Sequence, residues 1–215
     1  MIKLVKRERP QVLKDNSHSW TQTYLDLVRT GGTIPDSLKA KYRLKEIKEE
    51  IEKETHGKCA YCESYVHHVC PGDVEHILPK GQRPELIFDW DNLTYACEEC
   101  NRSGKKTYYN PTDPLINPYI DDPSDHLIAA GPMLFQKPGD RKGLISHKVL
   151  KLNRTELIER RSERLKSIIS LVDLWAHEKD PLIKDILSNE LLTEADNDKE
   201  YSYMIRQYIK AACGF

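Results

Sequence analysis

The sequence predicts an α+β protein in which a small metal-organised unit is embedded in a mainly helical chain. Two Cys-x-x-Cys pairs enclose a segment that has short strand-like pieces, many turn residues and no long periodic stretch. Apolar residues recur at helical spacing on both sides of that segment. With 215 residues, the chain is long enough for one domain of ordinary size with a substantial core.

The residues before the first cysteine pair predict an arm followed by a helix. Residues 1–35 are punctuated by Pro and Gly, and they contain one short helical candidate at residues 20–29 that Gly31 ends. From Asp36, a candidate N-cap, apolar residues recur near helical spacing as far as Gly57. This second helix is expected to lead the chain to Cys59, with its many Lys and Glu residues facing solvent.

The residues after the second pair predict a loop and then helices. Residues 107–145 are rich in Pro and Asp, which disfavour helix and predict a wrapped loop with short strands. After Asn153, another candidate cap, one apolar face predicts a long amphipathic helix, and residues 181–192 and 201–212 predict two more. The expected division is therefore residues 1–57, 58–106 and 107–215, with the C-terminal helices packing on the central unit.

Composition and charge limit the classes of function. The formal net charge of −1 shows no overall basic excess, although basic residues are concentrated before and just after the cysteine-bounded segment. No apolar run approaches the roughly 20 residues that span a bilayer, and charges fill the stretch where a signal peptide needs an apolar core. The expected location is the cytoplasm, without membrane contact.

The cysteine spacing predicts a structural zinc site. In a reducing compartment six cysteines favour metal binding over disulfides, and two Cys-x-x-Cys turns supply the four thiolates of a tetrahedral site. The expected ligands are Cys59, Cys62, Cys97 and Cys100. Cys70 and Cys213 lie outside the pattern, and His56, His67 and His68 lack ligand spacing and are predicted to be surface residues.

The order of motifs between and after the pairs resembles the HNH endonuclease family. Glu75-His76-Ile77-Leu78-Pro79-Lys80 lies inside the insertion, Asn92-Leu93 precedes the second pair, and Asn101 follows it. The resemblance implies a ββα-metal fold, with His76 as general base, Glu75 and Asn101 as ligands of the catalytic ion, and Asn92 orienting the base. The family usually has Asp before the histidine and often His at the last position, where this chain has Glu75 and Asn101, which are both oxygen donors.

Elementary chemistry agrees with those roles. A histidine titrates near neutrality and can take a proton from water, and carboxylate and amide oxygens suit Mg²⁺ or Mn²⁺. Basic residues beside the motif are expected to contact nucleic-acid phosphates without reading sequence. These residues are Lys80, Arg102, Lys105 and Lys106. Asp73 either supports the metal site or ends a turn after Pro71-Gly72, and the turn is favoured.

Over residues 45–165 the chain also resembles the HNH subunits of Septu-type antiphage systems, whose relatives accompany some retrons. The added motifs are Asp113-Pro114-Leu115-Ile116-Asn117-Pro118 and Leu150-Lys151-Leu152-Asn153-Arg154. This resemblance implies a role in phage defence beside a separate ATPase of the ABC or SMC-like type. The chain has no GxxxxGK[ST] loop, so a partner would have to supply any nucleotide-driven step.

The substrate and one alternative function stay open at this stage. HNH sites act on DNA, which is favoured here, and a partner complex could redirect one to RNA. The alternative is a non-catalytic, zinc-dependent nucleic-acid-binding or adaptor subunit, which needs the four cysteines but has no use for His76 or Asn101.

Overall fold

A computed structural model describes residues 1–66 and 72–215 of the chain, and this part is a mixture of helices and two small sheets. The helices are α1 (Gln11–Thr30), α2 (Asp36–Lys39), α3 (Lys45–Glu54), α4 (Arg141–Val149), α5 (Thr155–His177), α6 (Pro181–Glu194) and α7 (Ser202–Cys213). The strands are β1 (Asp73–His76), β2 (Leu93–Ala96), β3 (Leu127–Ala130) and β4 (Met133–Gln136). The expected α+β class is confirmed.

Contacts along the chain define two compact units. The hairpin unit comprises Leu4–Ala60 and Tyr65–Thr112, and the C-terminal unit comprises Met1–Lys3, Tyr61–Ser64 and Asp113–Phe215. The three-part division at residues 57 and 106 stays a prediction.

The hairpin unit is built on the antiparallel pair β1 and β2. Its register places Asp73 opposite Ala96 and His76 opposite Leu93. Every residue of β2 is buried, and α3 packs against this strand. Ile47 and Ile51 are fully buried on α3, because residues four apart share one face of a helix. The core of this unit therefore lies beneath β2.

Two expectations for the first 57 residues were wrong in detail. Helix α1 begins at Gln11, directly after Pro10, whereas the candidate helix was expected to begin at residue 20. The first half of α1 is too polar to show an apolar stripe. Gly31 does end it, in the left-handed conformation with φ 67°. The single helix expected from Asp36 is instead α2, a 3-10 turn at Lys41–Arg43, and α3. The extended backbone of Leu44, with ψ 144°, breaks the helical run.

The expected caps at Asp36 and Asn153 were also wrong. The side chain of Asp36 makes no cap hydrogen bond, because Pro35 occupies the N-cap position of α2. The side chain of Asn153 bonds the backbone N–H and C=O of Leu134 at 2.9 and 2.8 Å, so it supports the hairpin of β3 and β4 and does not cap α5.

The C-terminal unit confirms the remaining element predictions. The Pro- and Asp-rich stretch contains the two-stranded hairpin, although α4 begins within it after a cap by Asp140. On the predicted apolar face of α5, Leu157, Leu165, Ile168 and Val172 are buried, whereas Ile169 is exposed. Helices α6 and α7 match the two predicted C-terminal helices within two residues. In the part of the chain that the structure describes, no helix is long and apolar enough to cross a membrane.

Candidate active site and cysteine cluster

The four predicted zinc ligands come together in the structure. The sulfur atoms of Cys59, Cys62, Cys97 and Cys100 all lie within 4.8 Å of one another. A tetrahedral site with Zn–S bonds of about 2.3 Å separates its sulfurs by about 3.8 Å, so the cluster fits such an ion with small adjustment. The chain can therefore hold a metal ion here. Among residues 1–66 and 72–215 it is the only group of three or more His, Cys, Asp or Glu side chains close enough to share an ion.

Of the two cysteines and the three nearby histidines that were not predicted as zinc ligands, Cys213 and His56 lie in the described part of the chain. Cys213 is on α7 and is not part of the cluster. His56 is exposed, as predicted. Cys70, His67 and His68 lie outside the described residues.

Strand β1 turns two carboxylates toward the helical segment that follows the last cysteine. Asp73 and Glu75 are two residues apart on a strand, so their side chains share one face. Opposite that face is a π-helical segment, Glu99–Lys105, which carries Asn101, Arg102 and Lys105. The π-helical form is uncommon and is frequently found at functional sites.

Glu75 is held in a buried ion pair. The ammonium of Lys105 lies 2.5 Å from Glu75 Oε1 and also donates to the backbone carbonyl of His76 at 2.8 Å. Both residues are buried. Burial raises the pKa of Glu75, while the charge of Lys105 opposes that shift. Lys105 was predicted to contact phosphates. Its ammonium is instead directed toward Glu75 and the backbone carbonyl of His76.

Asp73, the first residue of β1, belongs to the same network; the turn expected before it includes Pro71, which lies outside the described residues. Asp73 accepts from Asn101 Nδ2 at 3.0 Å and from two nitrogens of Arg102, at 2.9 and 3.0 Å. Because Asn101 donates its amide N–H to Asp73, its carbonyl oxygen stays available to a ligand. Arg102 also bonds Glu98 at 3.2 Å, so two carboxylates hold this predicted phosphate contact.

His76 is buried and fixed in one tautomer. Its Nε2 lies 3.0 Å from the backbone carbonyl of Ile87. A carbonyl only accepts, so Nε2 carries the proton and Nδ1 holds the basic lone pair. Burial, with smaller contributions from Lys80 and other nearby cations, lowers the pKa of His76 to about 4. The imidazole is therefore neutral at pH 7, but it is a weaker base than an exposed histidine, so the expected titration near neutrality is not what the site shows.

Asn92 bonds the backbone of the loop that follows β1. Its Oδ1 accepts from Leu78 N at 2.7 Å, and its Nδ2 donates to Leu78 O at 3.0 Å and Leu86 O at 3.3 Å. Leu86 directly precedes Ile87, whose carbonyl bonds the imidazole of His76. Among the described residues Asn92 has no direct hydrogen bond to His76, so its role in orienting the base stays a prediction.

One groove of about 460 Å³ gathers most of the predicted residues. Glu75, His76 and Asn101 line it together, with Lys80 and Lys106 also in its wall. Asn92 is not part of the lining. Three lining residues, Tyr24, Tyr42 and Arg43, come from the first 57 residues and were not predicted as site residues. In the sequence Tyr42 was one of the apolar residues at helical spacing after Asp36, and that pattern does not predict a place in the groove.

The comparisons with known proteins agree with this site. Residues 59–107 match the family of HNH endonucleases, so this segment is an HNH domain. The chain is 33% identical over 158 residues to the Septu protein PtuB of Bacillus thuringiensis, covering 73% of this chain and 56% of that protein. It is also 33% identical over 157 residues to the Septu protein PtuB of Bacillus mycoides strain KBAB4, covering 59% and 53%. The chain spans about half the length of these curated relatives. The family resemblance seen in the sequence is confirmed.

Proposed function

We propose that this chain is a metal-dependent HNH endonuclease that hydrolyses phosphodiester bonds of nucleic acid. One observation carries the proposal. The neutral imidazole of His76, with Nε2 bound to Ile87, shares a groove with the oxygen donors of Glu75 and Asn101. A base and two oxygen ligands beside one another suit hydrolysis of a phosphodiester by water.

In this proposal the chain's own groups activate the water. His76 Nδ1 takes the proton from the attacking water, and the hydrogen bond from Nε2 to Ile87 keeps the ring in position for that transfer. Removing such a base typically costs 10²–10⁴-fold in rate.

The catalytic ion is assigned to Glu75 and Asn101. Mg²⁺ or Mn²⁺ accepts oxygen ligands and is often bound by only one or two protein side chains together with substrate phosphate. When bound, the ion supplies positive charge against the developing phosphorane-like charge. Asp73 orients the Asn101 amide so that its oxygen can face the ion.

The cysteine cluster is proposed to hold a structural Zn²⁺. All four positions around the ion would be taken by Cys59, Cys62, Cys97 and Cys100, which leaves no open position for a substrate. Its contribution is therefore to the fold of the HNH segment.

The biological setting follows from the Septu relatives. We infer that the chain is the effector nuclease of an antiphage system in the cytoplasm, and that it works with a separate ABC or SMC-like ATPase. DNA is the favoured substrate, and RNA is the alternative that the experiment must address. With a net charge of −1, the chain alone is expected to bind nucleic acid weakly, so its activity should be low without its partner.

The test compares the parent with His76→Ala on plasmid DNA and on total RNA, with Mg²⁺ or Mn²⁺. Each protein is assayed alone and with lysate from cells that carry the neighbouring genes. Zinc content and thermal melting serve as fold controls for the variant. Cleavage that His76→Ala abolishes is the expected result and would name the substrate.

Two outcomes would contradict the proposal. The first is cleavage by His76→Ala equal to that of the parent. The second is the absence of cleavage in every mixture by a zinc-replete, folded parent, which would favour the adaptor function.

A further inference from the structure

Tyr42, which lies outside the family match at residues 59–107, is at the centre of a cluster of side chains on the wall of the groove. The side chain is buried, and its ring edge meets the ring of His76 at a centroid distance of 4.5 Å and an angle of 73°. Its hydroxyl accepts from Lys80 Nζ at 2.8 Å. Tyr42 therefore contacts the proposed base and a cation at the same time.

Two cations lie against the ring of Tyr42. Lys80 Nζ is 4.6 Å from the ring centroid, and the guanidinium carbon of Arg43 is 5.1 Å from it. Both distances are within the range of a cation–π contact. The ring thus restricts two side chains that would otherwise move freely in solvent.

Arg43 and Lys80 differ from Lys105 and Arg102 in the same groove because they, like Lys106, have no carboxylate partner among the described residues. Lys105 is neutralised by Glu75 and Arg102 by Asp73 and Glu98. In residues 1–66 and 72–215, neither Arg43 nor Lys80 takes part in an ion pair. Their charge is sufficiently close to His76 to contribute to the lowering of its pKa. Two fixed, unneutralised cations at the mouth of a groove attract an anion.

Arg43 lies in the break between α2 and α3. The 3-10 turn Lys41–Arg43 buries Tyr42 and leaves Arg43 exposed, and both residues line the groove.

We propose that Arg43 and Lys80, supported by Tyr42, form a phosphate clamp that binds the nucleic-acid backbone next to the scissile phosphodiester. The ligand is a phosphodiester chain, and the contact is independent of base sequence. Tyr42 is a positioning residue, because it acts through the two cations. The inference rests on the proposed nuclease function and adds Arg43 and Tyr42, which lie outside residues 59–107, to the substrate-binding site.

The experiment measures equilibrium binding without cleavage. All proteins carry His76→Ala, and fluorescence anisotropy follows short labelled duplex DNA, single-stranded DNA and RNA from about 50 to 200 mM salt. Each lost phosphate contact should reduce the slope of log K against log salt by about 0.9 for duplex DNA. We expect this reduction for Arg43→Ala and for Lys80→Ala, with weaker binding at every salt concentration.

Two further variants separate the clamp from a general charge or folding effect. Lys45→Ala removes an exposed cation two residues from Arg43 that pairs with Glu49 at 3.6 Å, and it should leave the slope unchanged. Tyr42→Phe keeps the ring but loses the bond to Lys80. In that background Lys80→Ala should cost less affinity than in the parent, while Arg43→Ala should cost the same.

The clamp is overturned if Arg43→Ala and Lys80→Ala keep the salt slope of the protein that carries only His76→Ala. It is also overturned if that protein binds none of the three nucleic acids at the lowest salt. These readouts do not depend on catalysis. Cleavage by His76→Ala equal to the parent's would refute the nuclease mechanism while leaving a measured clamp in place.

Discussion

Lys105 and Glu75 form a buried ion pair that ties the π-helical segment to strand β1, with Nζ 2.5 Å from Oε1. The side chains expose 2% and 8% of their surface. Breaking such a pair by removing one partner is costly, because it leaves an isolated charge away from water. The same pair keeps a cation beside the carboxylate that we assign to the catalytic ion.

Lys105→Met should therefore destabilise the protein by about 3–5 kcal/mol at neutral pH. The pKa of Glu75 is already raised by burial, and loss of Lys105 should raise it further. The protonated carboxyl needs no counter-charge, so the loss should be smaller at about pH 5 than at about pH 7. Urea unfolding at the two pH values measures this difference.

Lys106→Met is the matched control, because Lys106 is exposed, and it should change stability little. Adding Glu75→Gln to Lys105→Met should recover part of the loss. If Glu75 binds the catalytic ion, millimolar Mn²⁺ should stabilise Lys105→Met more than it stabilises the parent. Equal stability of Lys105→Met and Lys106→Met would refute the importance of the buried pair.

Asp73→Ala should weaken divalent-ion binding without removing a proposed ligand. Asp73 holds the Asn101 amide through a bond of 3.0 Å, and loss of a group that orients a ligand typically costs 10–100-fold in metal affinity. Calorimetric titration with Mn²⁺ measures the effect directly. Asp91→Ala removes an exposed carboxylate elsewhere in the hairpin unit and should have no effect. Unchanged Mn²⁺ affinity in Asp73→Ala would show that the bond to Asn101 is irrelevant to the ion.

Purified protein should contain one zinc ion per chain, held by the four-cysteine cluster. Cys59→Ser should lose the zinc and much of the stability, because binding of a structural metal contributes directly to folding. Elemental analysis and thermal melting check both expectations. Cys213→Ser, outside the cluster, should keep the zinc and the melting temperature. Full zinc content in Cys59→Ser would exclude this cysteine as a ligand.

The lowered pKa of His76 predicts a loss of stability in acid. Above pH 6.5 the imidazole is neutral in both the folded and the unfolded chain, so the stability associated with its neutral form is fully present. As the pH falls from 6.5 to about 4, the unfolded chain binds a proton that the folded chain does not. The folded state should lose up to about 3 kcal/mol over this window.

Urea unfolding of the parent and of His76→Gln across that window, without added divalent ions, isolates this contribution. The parent should lose more stability than the variant as the pH falls. Parallel pH profiles for the two proteins would mean that His76 titrates in the folded chain near its ordinary pKa.

The sequence by itself determined the parts that depend on local spacing. Two Cys-x-x-Cys turns specified the four clustered thiolates, because two such pairs together supply the four ligands of a tetrahedral metal site. The Glu75-His76 motif, by its resemblance to HNH sequences, marked two residues that both line the groove, and helical periodicity predicted α6 and α7 within two residues. These features need no knowledge of which distant residues meet.

Only the tertiary structure decided which charges are free and which are neutralised. Lys105 and Arg102 looked like phosphate contacts in the sequence, but Glu75 and Asp73, about thirty residues earlier, bind them. Arg43 looked like part of a solvated helix, but it lies in the helix break, beside Tyr42 and Lys80 in the groove. The physical reason is that a salt bridge or a groove wall depends on contacts between residues far apart in the chain, which local periodicity does not encode.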